Sequence, residues 1–116
     1  MKMNHPTDIT VEIAATAFAA LGSEQRLGVL RALVRAGPEG LSIGKLGSKT
    51  GISGSTLTHH VKFLTLAGLV DQAKHGRSII CAAVAYDRVQ ALADFLLSEC
   101  CVDKDGCTQH HGGDHV

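Results

Sequence analysis

Three of the four cysteines in this 116-residue sequence lie close together near its C-terminal end. Cys100 and Cys101 are adjacent, and Cys107 ends the same stretch, CCVDKDGC. In a reducing compartment, clustered cysteines indicate metal binding or thiol chemistry more often than a structural disulfide, and soft thiolates select soft ions. These three residues are therefore the candidate chemical site. Cys81, in the apolar run SIICAAV, is expected to be a small buried side chain instead.

Two further uses of this cluster stay open. A zinc site needs a fourth ligand, which His110 or His111 could supply, although structural zinc sites usually space their thiols as C-x2-C. A redox or persulfide sensor needs a thiolate of lowered pKa. Cys100 and Cys101 follow a predicted helix and have acidic neighbours, and this environment disfavours the thiolate. Those neighbours are Glu99, Asp103 and Asp105.

Length and composition favour a single cytoplasmic domain. The chain is long enough for one modest core and too short for two. No apolar run reaches the roughly 18 residues that a membrane span needs, and the first ten residues lack the apolar centre of a signal peptide. No Ser/His/Asp constellation, paired carboxylates or phosphate-cradling glycine loop occurs in a supporting context. We therefore expect neither an enzyme nor a small-molecule substrate.

The charges sum to zero but are unevenly distributed. Between Lys45 and Arg77 the five basic residues are opposed only by Asp71, whereas acidic residues dominate after Tyr86. Because a DNA-binding surface must neutralise phosphates, such a surface would have to lie in the middle of the chain.

Apolar spacing and capping residues predict the first two helices. Residues 9–21 are rich in alanine and apolar nearly all round, as expected of a helix buried against more than one neighbour, such as a second subunit. A second helix begins after Ser23 and stops at Gly37-Pro38. Its predicted apolar face consists of Leu27, Leu30, Leu33 and Val34.

The middle of the chain predicts a helix-turn-helix. A short helix opened by Ser42 closes before Gly51, and Ser53 caps a helix over residues 54–67. On this last helix, His60 flanks the apolar side and is expected to be packed and hydrogen-bonded. The apolar side consists of Leu57, Val61 and Leu64, and the opposite side of Ser55, His59 and Lys62. That polar side suits either a recognition helix in a major groove or a merely solvated face.

A hairpin and a final helix complete the predicted fold. Two β-capable runs, LVDQAKH and SIICAAV, flank Gly76-Arg77 and predict a hairpin with a basic tip, which after a recognition helix would be a wing. The final helix is predicted from Tyr86 to about Cys100, with apolar positions Val89, Leu92, Ala93 and Leu96. The fold is therefore expected to be mainly α with a small β-hairpin.

In this order of elements, LGSEQRLGVLRAL and STLTHHVKFLTLAGLV resemble the ArsR family of dimeric winged helix-turn-helix repressors. The resemblance covers roughly residues 18–97. It implies a homodimer, formed through the first and last helices, that releases operator DNA on binding a metal or metalloid. We accordingly divide the chain into a DNA-binding and dimerisation domain, residues 1–100, and a tail, residues 101–116, that completes the sensor site.

Carried over position by position, the resemblance implies eight DNA-contacting residues. Five lie in the recognition helix and three in the wing. They are Gly54, Ser55, Thr58, His59 and Lys62, followed by Lys74, His75 and Arg77.

The resemblance also implies the inducer. Two other sensor positions of the family are empty, because LSIGKL has no thiol and YDRVQALADFLLSE has no histidine. CCVDKDGC is similar to the trithiolate site of an arsenic-responsive subgroup, which implies that Cys100, Cys101 and Cys107 bind trivalent arsenic or antimony in a pyramid of three sulfurs. Adjacent cysteines can face one atom only if the helix ends or frays there. A zinc-, cadmium- or redox-responsive repressor, or a metal-sequestering protein without DNA function, stays possible.

Overall fold

The computed structural model describes residues 9–84 and 86–104. Within these residues the helices are α1 (Val11–Ala20), α2 (Glu24–Ala36), α3 (Ile43–Thr50), α4 (Gly54–Leu66) and α5 (Tyr86–Leu97). The strands are β1 (Leu41–Ser42), which precedes α3, and β2 (Val70–His75) and β3 (Ser78–Ala83), which lie between α4 and α5. The predicted fold, mainly α with a small hairpin in a winged helix-turn-helix arrangement, is confirmed.

Capping residues fix where the helices begin and end. Ser23 and Ser42 each accept a hydrogen bond of 3.2 Å from the backbone N–H three residues on, at the starts of α2 and α3. Gly51 ends α3 in the left-handed conformation, with φ of 75°. Ser53 occupies the predicted N-cap position of α4, but its side chain makes no capping hydrogen bond.

The core lies where α2, α3, α4 and the hairpin meet. The predicted apolar face of α4 is fully buried, whereas the prediction for α2 is partly wrong. Leu27 and Val34 are 43% and 50% exposed, and Val29 packs into the core instead. Leu27 and Val34 point roughly 120° and 100° away from Leu33, so the helix cannot bury all of them against one neighbour. The largest fully buried side chains are Val29, Leu33, Leu46, Leu57, Val61, Leu64, Leu69, Val70 and Cys81.

The strands form an antiparallel sheet in the order β1-β3-β2. The hairpin pairs His75 with Ser78 across the predicted Gly76-Arg77 turn. The two-residue strand β1, which the sequence did not predict, pairs Leu41 with Cys81. Cys81 is fully buried as expected, and burial raises the pKa of its thiol.

Helices α1 and α5 leave apolar surface uncovered in a single chain. α1 buries Ala14, Ala17 and Ala20 along one side, while Val11 is 68% exposed. On α5 Leu92 is buried, and Leu96 and Leu97 are 66% and 70% exposed. No helix within the described residues is long and apolar enough to span a bilayer.

Candidate DNA interface and thiol cluster

The outer face of α4 presents the polar side chains that the sequence predicts. Ser55, His59 and Lys62 are all exposed, as are Gly54 and Thr58. The Thr58 hydroxyl donates a 3.2 Å hydrogen bond to the Gly54 carbonyl, so its oxygen keeps its lone pairs for accepting. Hydroxyl, imidazole and ammonium groups on one exposed helix face can bond to base edges and phosphates.

Two consecutive residues of α2, Gln25 and Arg26, contact side chains of α4. His60 is 8% exposed, and its Nε2 donates a 3.0 Å hydrogen bond to Oε1 of Gln25, as the prediction of a packed, hydrogen-bonded histidine requires. The Arg26 guanidinium carbon lies 4.5 Å from the centroid of the Phe63 ring. The recognition helix is thus fixed to α2 by a hydrogen bond and a cation–π contact side by side.

The wing is tied to the same helix. The side-chain amide of Gln72 in β2 donates a 3.0 Å hydrogen bond to the Thr65 hydroxyl in α4. Lys74, His75 and Arg77 surround the hairpin tip and are all exposed. This hydrogen bond links the strand that leads to the basic tip directly to α4.

The cysteine pair lies on an exposed turn beyond α5. The helix ends at Leu97, three residues before the predicted end, and Glu99 and Cys101 have positive φ values of 64° and 65°. These left-handed residues bend the chain, so the Cys100 and Cys101 sulfurs lie 3.5 Å apart rather than diverging as on a helix. The condition for both sulfurs to face one atom is therefore met.

The pKa of the Cys100 thiol is raised above its ordinary value. The main cause is the contact with the Cys101 sulfur, followed by the charge of that neighbour and then by desolvation. The disfavoured thiolate agrees with the prediction for Cys100, but its cause is the second sulfur rather than the acidic residues.

The third predicted thiol ligand, Cys107, lies outside the described residues, as do the acidic neighbour Asp105 and the two histidines of the zinc alternative, His110 and His111. Among the residues that are described, no three His, Cys, Asp or Glu side chains converge as a metal site would require. The described part of the candidate site is thus the pair Cys100 and Cys101.

Three side chains that support the site were missed by the sequence analysis. Gln25, Arg26 and Phe63 touch the recognition helix or belong to it, but their importance depends on how α2 packs against α4. The alternation of apolar residues along one helix contains no signal for such a contact. The sequence signal that could have indicated this contact is the aromatic residue Phe63 on a helix predicted to bind DNA.

Comparisons with known proteins agree with this architecture. A family model described as a helix-turn-helix domain matches residues 21–73. The uncharacterized HTH-type transcriptional regulator YceK of Bacillus subtilis (strain 168) is 40% identical over 67 residues, which span 58% of this chain and 66% of that protein. The match therefore covers slightly less than two thirds of the relative's length.

Two solved structures extend the likeness over most of the chain. An ArsR-like transcriptional regulator from Rhodococcus sp. RHA1 is 26% identical, with a TM-score of 0.56 over 83% of this chain and 96% of that one. A homodimeric winged helix-turn-helix domain of a possible ArsR-family regulator from Mycobacterium bovis has a TM-score of 0.63 over 86% and 90% at 18% identity, which shows the fold alone. The chain therefore contains a helix-turn-helix domain built into the winged helix-turn-helix fold of ArsR-family regulators.

Proposed function

We propose that this chain is a homodimeric transcriptional repressor whose operator DNA is released when trivalent arsenic or antimony binds to Cys100, Cys101 and Cys107. The assignment of the inducer rests on one observation, the 3.5 Å separation of two exposed sulfurs directly after α5. The DNA-binding role rests on the exposed face of α4, on the basic wing tip and on the likeness to helix-turn-helix regulators.

DNA binding would use both the helix and the hairpin. Lys62, Lys74 and Arg77 would neutralise phosphates, while Ser55 and His59 would bond to base edges in the major groove. Each phosphate contact releases condensed counterions, so the logarithm of the binding constant should fall with the logarithm of salt by about 0.9 per contact.

The dimer would form where α1 and α5 leave apolar surface uncovered. Val11, Leu96 and Leu97 are each about two-thirds exposed, and α5 leads directly into the thiol turn. The Mycobacterium bovis neighbour is homodimeric, which supports the same assembly here. A ligand that closes a ring of sulfurs at the end of α5 would therefore act next to the interface and change the spacing of the two recognition helices.

The sulfur geometry suits a pyramidal centre. With a bond of about 2.3 Å to sulfur, as in zinc thiolates, two sulfurs 3.5 Å apart subtend roughly 100° at a shared atom. That angle is compatible with trivalent arsenic or antimony, in which a lone pair takes the place of a fourth ligand. A coupling free energy of about 1 to 3 kcal/mol between ligand and DNA would change operator affinity about 5- to 150-fold.

The test measures release of DNA by arsenite. A duplex selected by the protein from a random-sequence pool is titrated in a mobility-shift assay, with and without arsenite. Wild type should be released, and a variant with Cys100, Cys101 and Cys107 all changed to Ser should stay bound. Cys81→Ala is the matched control and should respond like wild type. Release of the triple variant by arsenite would refute the assigned site.

A thiol-based redox or persulfide sensor is the second candidate, because the same two sulfurs are exposed and close together. It predicts release by peroxide or polysulfide and no response to arsenite. The raised pKa of Cys100 disfavours this alternative, since a sensor thiol reacts as the thiolate. A metal-sequestering protein without DNA function would keep its cellular role when Ser55 and His59 are both changed to Ala.

A further inference from the structure

We propose that Arg26 and Phe63 are positioning residues that hold the His59 imidazole in the orientation with which it reads DNA. This inference rests on the proposed DNA-binding function and adds a cause for the specificity of one contact. The three side chains form a continuous row from the end of α1 to the outer face of α4.

The row is anchored at α1. Arg26 Nε donates a 2.6 Å hydrogen bond to the carbonyl oxygen of Ala20, the last residue of that helix. The last carbonyls of a helix lack partners within it and carry partial negative charge, so they attract a guanidinium. The Arg26 side chain is therefore held at a fixed point between α1 and α4 rather than moving freely in solvent.

The anchored guanidinium covers one face of Phe63. The ring is 44% exposed, and without a neighbour such a side chain on a helix surface would exchange between rotamers. Attraction between the cation and the face of the ring, at 4.5 Å from the centroid, favours one orientation.

The fixed ring in turn contacts His59. The two ring centroids are 5.2 Å apart and the planes make an angle of 81°, an edge-to-face arrangement of residues one helical turn apart. His59 is exposed, and its other ring contact in the described part of the chain, to His60, is longer, at 6.2 Å between centroids, so the Phe63 edge is the nearer aromatic constraint on its orientation. A side chain already held in its binding orientation loses less conformational entropy on contacting DNA, which raises affinity for the correct base without adding a contact.

A purely architectural role for Arg26 and Phe63 makes a different prediction. If they only pack α2 against α4, then removing the Phe63 ring should weaken DNA binding equally whether or not His59 is present. If they position His59, the loss should occur only when the imidazole is there to be positioned.

A double-mutant cycle separates the two roles. Wild type, Phe63→Leu, His59→Ala and the double variant are compared on the duplex selected by wild type and on an unrelated duplex of equal length. Phe63→Leu should weaken binding to the selected duplex about fivefold or more in the wild-type background and less than about twofold in the His59→Ala background. Binding to the unrelated duplex should not change. Equal losses in both backgrounds would overturn the inference.

A second measurement does not depend on DNA. The ring protons of His59 in the free protein should show a ring-current shift in the NMR spectrum that disappears in Phe63→Leu and shrinks in Arg26→Lys, which keeps the charge but lacks the planar guanidinium. Arg31→Lys, an exposed arginine of the same helix, is the matched control and should leave these signals in place. His59 signals unaffected by Arg26→Lys would refute the positioning role, whereas failure to select any DNA sequence would refute the proposed function alone.

Discussion

The His60 imidazole in α4 donates a hydrogen bond from Nε2 to the side-chain oxygen of Gln25 in α2, across 3.0 Å. Its other nitrogen, Nδ1, is buried and has no hydrogen-bond partner in the part of the chain that the structure describes. A proton added at Nδ1 would thus be buried without an acceptor, which makes the neutral ring the form that the fold accommodates.

Acid should destabilise the protein through His60. Burial lowers the pKa of this residue, and the nearby charges of Arg26 and His59 lower it further. In the unfolded chain the imidazole titrates near pH 6.5, so the unfolded state binds the proton first as the pH falls. The free energy of unfolding should be at its full value above about pH 7 and decrease toward pH 5, by at most about 1.4 kcal/mol per pH unit for this one proton.

Urea unfolding at half-unit intervals from pH 5 to 8 measures this contribution. His60→Gln should flatten the pH dependence over that range, because an amide does not titrate. His59→Gln replaces the exposed neighbour and should leave most of the dependence intact. If the free energy of unfolding changed with pH equally in wild type and His60→Gln, groups other than His60 would cause the pH dependence.

Three glycines should respond to alanine in a graded manner. Gly40 has a φ of 73°, and a Cβ there would clash with the backbone carbonyl of Cys81 across the β1–β3 pair. Gly51 also has positive φ, at 75°, but a Cβ would meet open space. Gly44 lies within α3 with open space and no positive φ.

Gly40→Ala should therefore be the most destabilising, by about 3 kcal/mol or more, because both strain and a backbone clash oppose it. Gly51→Ala should cost about 1 to 2 kcal/mol from strain alone. Gly44→Ala should stabilise by about 0.5 to 1 kcal/mol, since alanine is the better helix former. Thermal unfolding of the three variants provides the order, and a harmless Gly40→Ala would contradict the close pairing of β1 with β3.

The features that could be predicted are those that neighbouring residues determine. Ser23 and Ser42 cap the next turn of their own chain, and Leu57, Val61 and Leu64 share a side of one helix by geometry alone. The hairpin likewise follows from two apolar runs around a tight turn. Each of these signals lies within about fifteen residues of sequence.

What was missed depends on contacts between distant segments. β1 has only two residues and exists because it meets β3, about forty residues later. Leu27 matches the helical spacing as well as Val29 does, and only the position of the neighbouring elements decides which is buried. The close approach of the two sulfurs depends on left-handed backbone at Glu99 and Cys101, and neither residue type favours that conformation.

The four thiols should differ sharply in reactivity. Cys81 is fully buried and the pKa of its thiol is raised, whereas Cys100 and Cys101 are exposed. An alkylating reagent applied to the native protein should modify the exposed pair and leave Cys81 unmodified until the chain unfolds.

Trypsin makes this comparison direct. Cleavage after Arg77, Arg88 and Lys104 places Cys81, the Cys100–Cys101 pair and Cys107 on three separate peptides, so mass spectrometry scores them independently. Denatured protein is the control and should show modification of all four. Rapid alkylation of Cys81 in the native protein would contradict the buried strand β3.

The proton balance of ligand binding should distinguish arsenic from divalent metals. When arsenous acid forms a bond to a cysteine, the As–O bond breaks, sulfur replaces hydroxide, and the thiol proton leaves with it as water, so no net proton is released. A Cd²⁺ or Zn²⁺ ion instead releases one proton for each protonated thiol that it binds. The raised pKa of Cys100 keeps this thiol protonated through neutral pH and so preserves the difference there.

Competition titrations at pH 6, 7 and 8 measure the difference. The affinity for arsenous acid should be nearly constant, whereas the affinity for Cd²⁺ should rise about tenfold per pH unit for each thiol that loses its proton. The Cys100→Ser, Cys101→Ser double variant is the control and should lose most of both affinities. An arsenous acid affinity that falls steeply between pH 6 and 8 would mean that the thiols are already thiolates, because each would then release hydroxide on binding, and one that rises steeply would mean that binding releases protons; either result would contradict the proposed exchange of thiol for water.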